Sequence, residues 1–92
     1  MIKRVELLIG QKELKKLPQH VLDKLLAWVR SVERDGLENV RVPPGYHDEP
    51  LKGKRAGQRS IRLSKAYRAI YRIGHDGETE LVEIIEANKH RY

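Results

Sequence analysis

Val21, Leu22, Leu25, Leu26, Trp28, Val29 and Val32 recur at the spacing of one face of an α-helix. Pro18 suits the first turn of that helix, where its missing N–H would find no partner anyway. Gly36 suits its end, so a helix is predicted over residues 18–35. An apolar stripe this long must be covered by another layer, and Trp28 reads as a core residue beneath it. The chain has 92 residues, which is room for one domain.

The covering layer is predicted from the period-2 alternation elsewhere. Residues 2–9 alternate loosely around Val5, Leu7 and Ile9 and read as a first strand. Leu14 and Leu17 mark a short amphipathic helix over 11–17. Residues 42–50, rich in proline and glycine, suit neither helix nor strand, and residues 52–58 form a glycine-punctuated basic loop. Strands are predicted over 59–64, 66–74 and 79–87. Asp76-Gly77 is a hairpin turn between the last two, and the last strand is apolar on both faces, as a central strand would be. The expected fold is α+β, in the order β-α-α-β-β-β. Two N-terminal helices pack on one face of a small twisted antiparallel sheet, and residues 1–92 form a single domain.

The formal net charge is +6 and there is no cysteine. Disulfides and thiolate metal sites are therefore excluded. The four histidines have no metal-ligand spacing, so no metal and no cofactor are expected. No stretch of 18 apolar residues occurs, no membrane association is expected, and the cytoplasm is the expected location. The charge is segregated. Lys52, Lys54, Arg55, Arg59, Arg62, Lys65, Arg68 and Arg72 occupy a segment without Asp or Glu, and Asp76, Glu78, Glu80, Glu83 and Glu86 follow without Lys or Arg. This predicts a cationic face opposed by an anionic edge, and a polyanionic partner.

Alternation assigns the faces. With Tyr67, Ala69, Tyr71 and Ile73 toward the helices, Arg68 and Arg72 face the other way, and Arg62 can join them. Guanidinium groups bind phosphate bidentately and keep their charge near neutral pH. The segments Glu49–Lys52 and Asn88–Tyr92 flank these strands and can converge on the same face. They offer a carboxylate, an imidazole, a phenol, lysines and arginines. RNA brings its own nucleophile, the 2′-OH. Cutting it needs a base for that hydroxyl, a cation at the phosphate and an acid for the departing 5′-oxygen.

Three blocks carry a resemblance to a known family: residues 43–54 (PPGYHDEPLKGK), 57–63 (GQRSIRL) and 67–73 (YRAIYRI), with the basic-aromatic ending 88–92 (NKHRY). In their order and spacing the chain resembles the RelE/ParE toxin superfamily, most closely its RelE-, YoeB- and HigB-type messenger RNA interferases. The resemblance implies a toxin of a type II toxin–antitoxin system. Such a toxin is a metal-independent, ribosome-dependent endoribonuclease that cleaves mRNA and inhibits translation. Its partners would be a cognate antitoxin, the ribosome and mRNA. It implies Glu49 as general base, Arg68 as the phosphate-stabilising arginine, and His90 and Tyr92 as the terminal acid/base and base-stacking residues. In the YoeB pattern a His directly precedes the final Tyr, whereas here Arg91 intervenes. Other branches place His where Glu49 stands, which makes His47 an alternative participant. Lys52 and Lys54 fall among the RNA-binding or charge-stabilising residues, and Arg55, Arg59, Arg62, Arg72, Lys89 and Arg91 extend that basic set.

Two other functions use the same fold and charge. One is a ParE-like DNA gyrase inhibitor without nuclease activity, and the other is an RNA- or ribosome-binding module that has lost catalysis. The set Glu49, His90 and Tyr92 favours the nuclease, because a pure binder has no need of a poised acid and base.

Overall fold

In the computed structural model, residues 1–42 and 44–89 are described. The order is β1 (Val5–Leu7), α1 (Gln11–Lys15), α2 (Gln19–Asp35), α3 (Leu37–Val40), β2 (Glu49–Pro50), β3 (Gln58–Arg62), β4 (Tyr67–Asp76) and β5 (Thr79–Lys89). Single 3₁₀ turns at Pro44–Tyr46 and Gly53–Arg55 flank β2. The five strands form one sheet in the order β1-β5-β4-β3-β2. The α+β class and the helix-on-sheet layering follow the sequence expectation.

Both predicted helices form. α1 ends at Lys15, three residues before Pro18, because the residue preceding a proline is driven out of the helical region. α2 runs to Asp35, and Gly36 ends it with φ 88° while its N–H bonds to Val32 O. A side chain at Gly36 would be strained there and would also meet Met1 at 3.0 Å. Beyond Gly36 the chain turns once more into α3, whose Leu37 and Val40 are buried. That turn lay in a stretch too short to carry a periodic signal.

One feature of the sheet corrects the expectation: it is mixed, not wholly antiparallel. β1 pairs with β5 in parallel, Val5 opposite Val82 and Leu7 opposite Ile84. The two strands are distant in sequence, and the intervening helices form the long crossover that parallel pairing requires. The pairs β2–β3, β3–β4 and β4–β5 are antiparallel. β5 thereby has a neighbour on each side, in keeping with its two apolar faces. A bulge interrupts β4–β5, where Ile70 opposes Glu86 but Tyr71 opposes Ile84. Residues 49–50, expected to be loop, add a two-residue edge strand.

The core lies between the helices and one face of the sheet. Val21, Leu25, Trp28 and Val32 of α2 meet Ile61, Ala69, Tyr71, Val82, Ile84 and Ala87 of the strands. Trp28 and Tyr71 pack with ring centroids 5.1 Å apart at 42°, within the range of favourable aromatic pairs. Both residues are almost wholly buried. Truncating Trp28 opens a cavity that cannot collapse without moving the sheet. Trp28→Ala is expected to cost about 3–5 kcal/mol, a large part of the roughly 5–14 kcal/mol available to a domain of this size. Urea denaturation followed by far-UV circular dichroism measures it, and a midpoint within error of wild type would contradict this packing.

Candidate active site

β3 and β4 set the faces by simple alternation. Ile61, Ala69 and Tyr71 point into the helix-side core, with Tyr67 and Ile73 packed against it. Ser60, Arg62 and Arg68 therefore point to the opposite face. Arg62 stands directly across from Arg68, and Glu49 directly across from Ser60. On that face a polar cavity of about 150 Å³ is lined by His47, Glu49, Ser60, Arg62, Ser64, Lys65, Tyr67 and Arg68.

The cavity thus holds a carboxylate, an imidazole, two guanidiniums and an ammonium. Two like charges directly opposed on neighbouring strands destabilise a sheet, and a bound anion would relieve the Arg62–Arg68 pair. The Arg68 Nε is buried and has no hydrogen-bond partner among the described residues. A buried donor left unpaired costs free energy, and none of the described residues supplies its acceptor. Ser64 shapes the rim: its Oγ accepts hydrogen bonds from the Ala66 and Tyr67 N–H groups at 3.3 and 3.1 Å. Among the described residues no group of three or more His, Cys, Asp or Glu is placed to hold a metal ion.

Of the residues expected in the site, Glu49, Arg68 and the alternative His47 line the same cavity, and Arg62 joins them. His90, Arg91 and Tyr92 lie outside the described residues. The other basic residues disperse. Lys52, Lys54 and Lys89 are exposed. Arg55 is held by Gln58 at 2.7 Å and by Glu86. Arg72 bonds to Glu83 at 2.9 Å. Arg59, in register with Tyr71, lies on the helix side and bonds to Asp48 at 2.5 Å. The acidic block divides: Glu83 and Glu86 pair with Arg72 and Arg55, while Asp76, Glu78 and Glu80 lie exposed at the β4–β5 hairpin.

Lys65, Ser60, Ser64 and Tyr67 were not foreseen in the site. Ser60 and Tyr67 could have been read from alternation and strand ends, whereas Ser64 and Lys65 sit in the β3–β4 turn, whose geometry is local. Asp48 was also missed. Its side chain is only 2% exposed, and it accepts from the Tyr71 hydroxyl at 2.5 Å as well as from Arg59. Burial works against the Arg59 charge, but the hydrogen bond and charge of Asp48 outweigh it and raise its pKa. Burial first, then the Asp48 hydrogen bond and charge, push the Tyr71 phenol far above its ordinary range.

No protein-family model and no curated protein sequence matches the chain. Solved structures do. A YoeB/ParE toxin from Agrobacterium tumefaciens matches with a TM-score of 0.66 at 22% identity, over 94% of this chain and 99% of that one. The RelBE2 toxin–antitoxin complex from Mycobacterium tuberculosis matches with a TM-score of 0.66 at 27% identity, over 98% and 100% of the two chains. YafQ from E. coli matches with a TM-score of 0.67 at 16% identity, over 94% and 93%. The fold is that of the RelE/ParE-type toxin superfamily, the one its sequence blocks resemble.

The Tyr71 shift has a consequence for stability. The folded state holds the phenolic proton that an unfolded chain releases near pH 10. The resulting stabilisation is complete below that pH and is lost as pH rises toward the folded value. Tyr71→Phe should cost about 1–3 kcal/mol at neutral pH by leaving one Asp48 oxygen unpaired. The difference from wild type should then shrink above about pH 10. Thermal melts of both proteins from pH 8 to 11.5 check it; a pH-independent difference would refute the assignment.

Proposed function

We propose that this chain is the toxin of a type II toxin–antitoxin system and that it cleaves mRNA on the ribosome without a metal ion. The observation that carries the proposal is the buried Arg68 Nε, without a partner among the described residues, in a small polar cavity that also contains Glu49. The likeness to the RelBE2 complex and to the YoeB and YafQ folds supports the toxin reading. In the proposed reaction the scissile phosphate enters the cavity. Glu49 removes the 2′-OH proton, and the 2′-oxygen attacks the phosphorus. Arg68, with Arg62 and Lys65 beside it, stabilises the charge gathering on the non-bridging oxygens. The P–O5′ bond breaks as that oxygen takes a proton from an acid, for which His47 in the cavity and His90 are the candidates. The products are a 2′,3′-cyclic phosphate and a 5′-hydroxyl.

The size of the cavity supports the ribosome-dependent part of this reading. Sites that bind a whole small molecule run to roughly 300–1,000 Å³, and this one measures about 150 Å³. A phosphate fits, while the sugars and bases stay outside. Lys52 and Lys54 are exposed and supply charge without fixed geometry, so free RNA would be held loosely and in many poses. The ribosome would present one ordered phosphate in its decoding site. The cognate antitoxin would neutralise the toxin by covering this cationic face with an acidic or amphipathic segment, adding stability by mass action.

Removing one preorganised donor typically costs about 10²–10³ in rate. Arg68→Ala is therefore expected to lose cleavage of ribosome-bound mRNA by that factor while still folding and binding its antitoxin. Arg72→Ala, whose guanidinium is engaged by Glu83, should lose far less. Equal activity of Arg68→Ala and wild type would remove Arg68 from the mechanism.

A second experiment compares one mRNA free and in a programmed ribosome, with EDTA at a level that leaves ribosomes intact. Free RNA should bind with strong salt dependence but be cut poorly, and programmed mRNA should be cut in the A site with or without EDTA. Efficient cutting of free RNA would end the ribosome requirement. No cutting of either, with inhibition in a gyrase supercoiling assay, would favour the ParE-like inhibitor.

A further inference from the structure

His47, Asp48 and Glu49 are consecutive, yet only the outer two line the cavity. Asp48 points the other way. Its Oδ1 accepts from Arg59 Nε and its Oδ2 from the Tyr71 hydroxyl, each at 2.5 Å, and its backbone carbonyl accepts from Arg59 Nη2 at 3.4 Å. Arg59 and Tyr71 are direct partners across β3 and β4, so the grip on Asp48 is anchored in the body of the sheet.

On either side the segment is held by Tyr46 packed against the core and by the Leu51 N–H bonded to Gln58 O at 2.9 Å. β2 is two residues long and lies at the sheet edge, and Pro50 has no N–H to donate. His47 has φ 47°, a left-handed conformation unfavourable for a residue with a side chain. The His47 N–H closes a turn onto Pro44 O at 3.1 Å. The chain thus enters the site through a strained turn and needs a compensating contact at once. Side chains of an extended segment alternate between faces. A carboxylate drawn inward at position 48 sends Glu49 outward, and the left-handed turn at His47 puts that side chain on the cavity side too.

We infer that Asp48, held by Arg59 and Tyr71, is a positioning residue that sets where Glu49 and His47 stand in the cavity. The catalytic part of this inference rests on the nuclease reading; the geometric part does not. Asp48 touches no substrate. It acts by fixing one residue on the core side of the sheet so that two others are fixed on the working side.

The test uses Asp48→Asn and, independently, Tyr71→Phe, which keeps the ring in the core and deletes a single hydrogen bond. Both are measured at a temperature where circular dichroism finds them fully folded. The first readout is the single-turnover cleavage rate on programmed ribosomes at saturating protein, beside ribosome affinity. A displacement of about 1 Å can cost on the order of 10²-fold in rate. Asp48→Asn should approach that loss and Tyr71→Phe should lose roughly tenfold, both with affinity within about twofold of wild type. The second readout is NMR: nuclear Overhauser contacts from the Glu49 and His47 side chains to Ser60 and Arg62 should be present in wild type and weakened in both variants. Folded variants that cleave at the wild-type rate, or that keep those contacts, overturn the inference. If the wild-type protein cuts no RNA, the nuclease reading fails, and the NMR comparison still decides whether Asp48 positions the pair.

Discussion

Tyr71 joins the core of this protein to the edge strand beside its polar cavity. Its ring packs on Trp28 at the centre of the core, and its hydroxyl ends on the Asp48 carboxylate beside the site. The two roles need each other. The hydroxyl is costly to bury without a partner, and the Asp48 carboxylate is costly to bury without donors. Arg59 supplies the countercharge, and the three side chains form a closed set between the last part of the core and the edge strand. The helices thus do more than cover the sheet. By packing α2 onto β4 they hold the Tyr71 ring, and with it the point from which β2 is suspended.

The electrostatics separate into engaged and disengaged cations. Arg55, Arg59 and Arg72 are matched by Glu86, Asp48 and Glu83, which neutralises much of the segment that is so basic along the chain. Among the described residues the cavity collects Arg62, Lys65 and Arg68 with Glu49 as the one carboxylate. Net charge therefore says less about binding than the local surplus does. That surplus sits in a small recess, where lower effective dielectric strengthens each interaction with an anion.

The long helix and the three C-terminal strands were legible because their signals are periodic and local. Val21 to Val32 repeat at helical spacing, and Tyr67 to Ile73 alternate cleanly. The opposition of Arg68 to the core followed from that alternation alone. The direction of β1 was not legible, since parallel and antiparallel partners demand the same apolar residues. Arg59 was grouped with Arg62 by charge, although period two puts it with Ile61 on the helix side; the pattern was available and charge obscured it. Asp48 was illegible for a different reason. Its partners lie 11 and 23 residues away, and only the fold brings them to it. The nearby motif residue, Glu49, drew the attention that belonged to both.

A two-residue edge strand is an unfavourable place for the general base proposed at Glu49, since catalysis needs reacting groups held within about 0.5 Å. The network around Asp48 answers that difficulty on the protein side. It leaves the substrate side open, since a recess that takes only a phosphate does little to orient the sugar carrying the attacking 2′-OH. In-line geometry depends on that sugar, and the exposed lysines nearby cannot impose it. Under the proposed activity the labour is therefore divided: the toxin fixes its base and its cations, and the surface that presents the message fixes the nucleotide. Such a division would keep a stable, strongly basic protein from degrading every RNA it meets, because binding by charge alone would not bring the hydroxyl, the phosphorus and the leaving oxygen into line.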